Sequence, residues 1–130
     1  MRSKILVADD DPGIRDILKI IFEREGYAIE LKEDGIDILA DNFTIPDLFL
    51  VDKQLSGVDG LDVCRYLKNH ESTKNIPVII ISAAPDLHIL AQKAGADGHI
   101  EKPFEMNYLL EIVKRYITLA EEDQRDKVFR

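Results

Sequence analysis

A chain of 130 residues suits one domain whose single core needs neither disulfides nor a structural metal. Its 17 Lys and Arg stand against 25 Asp and Glu, a net charge of −8, and no basic patch is interleaved with Tyr or Phe. Direct nucleic-acid binding by these residues is therefore not expected. The lone Cys64 excludes an internal disulfide, no CxxC or Cys/His cluster offers a zinc site, and no apolar stretch approaches a membrane span, so the expected compartment is the cytoplasm, without membrane attachment.

Short β-rich runs alternate with amphipathic stretches along the chain. Ile5 to Ala8 predicts a first strand, closed by Asp9 and Asp10. Asp11 caps the next helix with Pro12 at its first position, and Ile14, Ile17, Leu18 and Ile21 fall at helical spacing until Gly26 stops it. Ala28 to Leu31 reads as a second strand. A helix from about Gly35 to Asn42 follows, with Ile36, Leu39 and Phe43 as its apolar face. Leu48 to Val51 is a third strand that delivers Asp52 into a turn-rich loop containing Gly57 and Gly60, both read as turn glycines. The next helix carries Leu61, Cys64 and Leu67. Val78 to Ile81 is a continuous β-branched run, as a strand covered on both faces requires, with Ser82 at its end. A short helix, Leu87 to Ala94, leads through Gly95 to a fifth strand at His99-Ile100 and then to Lys102-Pro103. The last helix shows Met106, Leu109, Leu110, Val113 and Ile117 on one stripe. The expected domain is 1–119, and 120–130 is a polar tail that extends the last helix or serves as a linker stub.

Strict alternation of five strands and five helices implies a doubly wound α/β fold, which binds ligands outside the carboxyl ends of its strands. Asp9, Asp10, Asp52, Ser82 and Lys102 all fall at such ends, so one cleft is expected to gather them. Carboxylates sharing a site repel one another unless a cation stands among them. Magnesium suits such a set because it takes hard oxygen ligands and keeps several waters; Asp10 and Asp52 can ligate directly, Asp9 through water. A carboxylate is also a nucleophile toward phosphorus, with Lys102 and the Ser82 hydroxyl placed to meet phosphoryl oxygens.

These residues resemble the receiver domain of two-component response regulators. The resemblance rests on Val7-Ala8-Asp9-Asp10-Asp11-Pro12, Asp52-Lys53-Gln54-Leu55-Ser56-Gly57-Val58-Asp59-Gly60, Ile80-Ile81-Ser82-Ala83, Gly95-Ala96-Asp97-Gly98 and Lys102-Pro103-Phe104, in this order and spacing. It implies a flavodoxin-like sheet in the order 2-1-3-4-5, Asp52 as phosphoacceptor, and Mg2+, with Mn2+ able to stand in, held by Asp9, Asp10, Asp52 and the backbone carbonyl of Gln54. It further implies Ser82 and Lys102 as the switch hydroxyl and lysine, a cis bond before Pro103, and self-catalysed phosphorylation and dephosphorylation. The implied phosphodonor is a histidine kinase or a histidine phosphotransfer protein, and the output partner is unnamed. A phosphorylation-linked homodimer is compatible with the resemblance.

Two features depart from the family pattern. His99 stands where a larger aromatic switch residue is usual, and the segment Ala83-Ala84-Pro85-Asp86 is slightly shorter than the usual connection, so the partner surface built by the fourth helix cannot be copied across. The alternative function is a phosphate-independent adaptor that keeps the fold. A phosphatase acting through an aspartyl intermediate would carry a second acid two residues after the nucleophile, where this chain has Gln54.

Overall fold

A computed structural model describes residues 2–128, with side chains through Asp123. The strands are β1 (Lys4–Ala8), β2 (Ala28–Lys32), β3 (Leu48–Asp52), β4 (Val78–Ser82) and β5 (Gly98–Glu101); the helices are α1 (Pro12–Arg24), α2 (Ile36–Leu39), α3 (Gly60–Asn69), α4 (Leu87–Lys93) and α5 (Met106–Val128). All strand pairs are parallel, in the order β2-β1-β3-β4-β5. The outer ends of the expected domain and tail, Met1 and residues 129–130, lie outside the described residues; residues 120–128 continue α5.

The pleat sorts each strand's side chains into two layers. Ile5, Val7, Leu48, Leu50, Ile79 and Ile81 pack with Leu18 and Phe22 of α1 and Leu109, Val113 and Ile117 of α5. Leu6, Phe49, Val51, Val78 and Ile80 face the opposite way and pack with Ile38 of α2, Val63, Cys64 and Leu67 of α3, and Leu87 and Ala91 of α4. Covered on both sides, β3 and β4 are buried at every position, which is why they read as unbroken apolar runs. At the sheet edges β2 is half-buried throughout and β5 buries only Ile100.

Local chemistry sets the helix ends. The Asp11 carboxylate accepts the amides of Gly13 and Ile14, and Gly26 ends the following turn at a φ of +92°, as the sequence predicts. The expected apolar stripe of α1 is displaced: Phe22 is fully buried, while Ile17 is 51% exposed. The second helix is a larger departure. It has four residues because Asp41 takes a left-handed φ of 57°, and the amides of Asp41 and Asn42 turn back to the carbonyls of Ile38 and Asp37. So short a helix presents one residue inward, Ile38, and leaves Ile36 and Leu39 exposed, contrary to the expected face. Phe43 does pack inward, edge-on against Phe49.

Gly60 is not at a positive φ, so it is not the turn glycine the sequence suggests; Gly57, at +82°, is. What Gly60 provides is close approach. A Cβ there would lie 2.1 Å from the Asp52 carbonyl oxygen and 2.8 Å from the Lys53 Cα, both backbone. Gly60→Ala must therefore push α3 away from the end of β3. Denaturant unfolding should show a loss of roughly 1–3 kcal/mol, and unchanged stability would mean that the loop yields freely.

Candidate functional site

The carboxyl ends of β1, β3, β4 and β5 converge on one cleft. Asp9 extends β1 by one ladder bond, its amide donating to the Lys32 carbonyl at 3.0 Å, and its side chain is buried. Its Oδ1 accepts the Asp11 amide at 2.9 Å, and its carbonyl accepts from Arg15 Nη1 at 2.7 Å. Asp52 ends β3, buried, with Oδ1 accepting the Gln54 amide at 2.8 Å. Lys102 is fixed by its own amide, which donates to the Ser82 carbonyl at 3.0 Å, and by the cis bond to Pro103. Its ammonium pairs with Asp52 Oδ2 and stands 3.9 Å from Asp9 Oδ2.

One ammonium thus serves two buried carboxylates. Burial is the main reason that Asp9 is pushed up to about 6; the Asp11 amide opposes the rise, the neighbouring Asp52 adds to it, and Lys102 opposes it. Asp10, in contrast, is exposed, and its Oδ2 accepts from Ser56 Oγ at 3.4 Å across the loop that follows β3.

Of the sequence-predicted residues, Asp9, Asp52 and Lys102 are in mutual contact, and Asp10 and Gln54 border them. Ser82 is buried at the end of β4 with its Oγ accepting the Ala84 amide at 2.9 Å. His99 lies outside the cluster on the exposed face of β5, beside His88 of α4. Residues that sequence reasoning missed are Arg15, one helical turn past the Asp11 cap, and the Lys53–Asp59 ion pair of 2.9 Å that braces the loop after Asp52. The helical spacing of Arg15 from Asp11 was a usable signal; the Lys53 pairing had none.

The donor chemistry fits a small hard cation, since two buried carboxylates share a single ammonium and the exposed Asp10 borders them. Among the described residues no three His, Cys, Asp or Glu side chains are grouped closely enough to hold a metal ion on their own, so a resident cation would complete its shell with water.

Comparison with known proteins agrees with this geometry. The family model for the response regulator receiver domain matches residues 5–114. The chain is 36% identical over 123 residues to sporulation initiation phosphotransferase F of Bacillus subtilis, covering 92% of this chain and 97% of that protein. It is 34% identical over 126 residues to the DNA-binding response regulator MtrA of Mycolicibacterium smegmatis, covering 95% of this chain and 54% of that protein. The chain spans about half the length of several of the curated relatives it matches. Among solved structures, the receiver domain of a sensor histidine kinase from Pseudomonas aeruginosa, with magnesium coordinated in its active-site cleft, superposes with a TM-score of 0.81 at 25% identity over 91% of this chain and 99% of that one. With a family model covering most of its length and the parallel five-stranded order expected of that fold, the chain belongs to the response regulator receiver domain family of two-component signal transduction.

Proposed function

We propose that Asp52 is the phosphoacceptor of this receiver and that Asp9, Asp10, Asp52 and the Gln54 carbonyl form its Mg2+ site, with Mn2+ able to substitute. The observation that carries the reading is the pairing of the Lys102 ammonium with the buried Asp52 carboxylate, one of whose oxygens is already held by the Gln54 amide. Asp52 Oδ attacks phosphorus while the bond from phosphorus to the donor, a histidine nitrogen or the acyl oxygen of a small acyl phosphate, breaks and the donor leaves with that electron pair. Magnesium, when bound, shields the charge on the transferring oxygens. Lys102 moves from the carboxylate to a phosphoryl oxygen, and the Ser82 hydroxyl leaves the Ala84 amide to donate to another. This is self-modification with water-driven reversal, not turnover of a released substrate.

The donor partner is a histidine kinase or a histidine phosphotransfer protein, the compartment is the cytoplasm, and a phosphorylation-linked homodimer is one form of output. No helix among the described residues is long and apolar enough to cross a membrane. The expected absence of nucleic-acid binding needs correcting in scope. The net charge of −8 speaks only for these residues, whereas the matched relatives named as DNA-binding are about twice as long.

The test is intact mass after incubation with acetyl phosphate and magnesium. One phosphoryl group per chain, absent when magnesium is chelated before the donor is added, supports the reading. No gain, even with phosphoramidate and in a beryllofluoride binding assay, would favour the phosphate-independent adaptor.

Magnesium binding should also depend on pH. Below about 6 the ion must displace a proton from Asp9, so calorimetric affinity at pH 5 should be about tenfold weaker than at pH 7, with proton uptake by the buffer. A flat profile over this range would remove Asp9 from the site.

A further inference from the structure

Two of the three histidines stand together away from the aspartate cleft. His88 lies in the first turn of α4 and His99 in β5; both are exposed, with ring centroids 6.2 Å apart and planes inclined at 42°. Exposure means that apolar burial does not account for the pairing. No hydrogen bond or ion pair among the described residues engages either imidazole. Strand alternation puts Glu101 on the same face as His99, and these two line a surface cavity of about 460 Å³ together with Glu105. His99 is therefore bordered by carboxylates, on a chain whose net charge already concentrates cations.

We propose that His88 and His99 form a surface site for a borderline divalent cation, Zn2+, Ni2+ or Cu2+, which ties α4 to β5. Two imidazole nitrogens bound at roughly 2.0–2.1 Å to one ion at square-planar or tetrahedral angles place their ring centroids about 4.5–5.2 Å apart. The observed 6.2 Å is about 1 Å longer, so binding requires these exposed side chains to rotate toward each other. Elements distant in sequence supply the two ligands, and the β4–β5 register with α4 packed beside it fixes their spacing. Since no third His, Cys, Asp or Glu among the described residues completes a closed set, the remaining positions belong to water, with Glu101 and Glu105 contributing charge. Such a site should prefer Cu2+ over Ni2+ and over Zn2+. Magnesium should not compete for it, because Mg2+ takes hard oxygen ligands rather than imidazole.

The experiment is calorimetric titration of the chain with ZnCl2, NiCl2 and CuCl2 under saturating magnesium and without a phosphodonor, so that its outcome is independent of the role given to Asp52. One ion per chain is expected. His88→Gln and His99→Gln should each weaken binding at least tenfold, and His70→Gln, which changes the remaining histidine, should leave it within twofold. In parallel, substoichiometric Cu2+ should broaden the backbone amide resonances around residues 88 and 99 before any others. Absence of binding into the millimolar range overturns the proposal. So does binding that persists within twofold in either paired variant, or broadening centred on His70.

Discussion

Asp52→Ala should abolish phosphoryl incorporation from acetyl phosphate completely, with no compensating gain at Asp9, Asp10 or Ser56. Asp9 has no free approach: it is buried, with one oxygen held by the Asp11 amide and the other facing Lys102. Asp10 is exposed and can meet a phosphodonor, yet it lacks an ammonium partner among the described residues, and it is the pairing with Lys102 that lets negative oxygens approach Asp52. Loss of the nucleophile therefore removes the reaction rather than slowing it. The folded structure should survive, because Lys102 keeps Asp9 as a neighbour and the backbone at position 52 retains its ladder bonds. Intact mass and a thermal melt on the same sample separate these points. A full phosphoryl gain in a well-folded Asp52→Ala protein would move the acceptor elsewhere and defeat the assignment.

The parts of this site that were legible in the sequence are those fixed by a single strand. Unbroken runs such as Leu48–Val51 and Val78–Ile81 announce strands covered on both faces, and the polar residue that ends each run must then sit at the sheet's carboxyl edge. Asp9, Asp52 and Ser82 were placed in this way. Lys102 follows a weaker strand, and its arrival at Asp52 depends on β5 joining β4, a pairing that no local pattern encodes. Spacing misled where a local break intervened. Ile36 and Leu39 look like a helical face, but the left-handed Asp41 ends α2 before a second turn can bury them, and aspartate gives little warning of which conformation it will take. On α1, Ile14, Ile17, Leu18 and Ile21 satisfy the periodicity, yet the buried side is centred on Leu18 and Phe22, since sequence spacing fixes the width of a stripe more firmly than its centre. The His88–His99 contact was out of reach for a third reason: it exists only once α4 has been laid beside β5.

Asp9→Asn should make the metal-free protein more stable at neutral pH while weakening its hold on magnesium. In the folded chain burial raises Asp9 from the ordinary 3.8 to about 6, so between these values the folded form retains a proton that the unfolded chain has released. Stability conferred by that proton is present at low pH and is lost as pH rises through the folded value; above it, the buried charge acts as a full penalty on folding. Asparagine cannot ionise, and its side-chain oxygen can still accept the Asp11 amide. The variant should therefore gain roughly 1–3 kcal/mol at pH 7, with the gain shrinking toward zero near pH 4, as measured by urea unfolding across that window. Saturating magnesium should narrow or reverse the difference, because only the aspartate is stabilised by the ion. An Asp9→Asn protein that is equally stable at pH 4.5 and pH 7.5 relative to the parent, or that loses stability at the higher pH, would show that Lys102 already neutralises the pair. The cleft would then need no second cation.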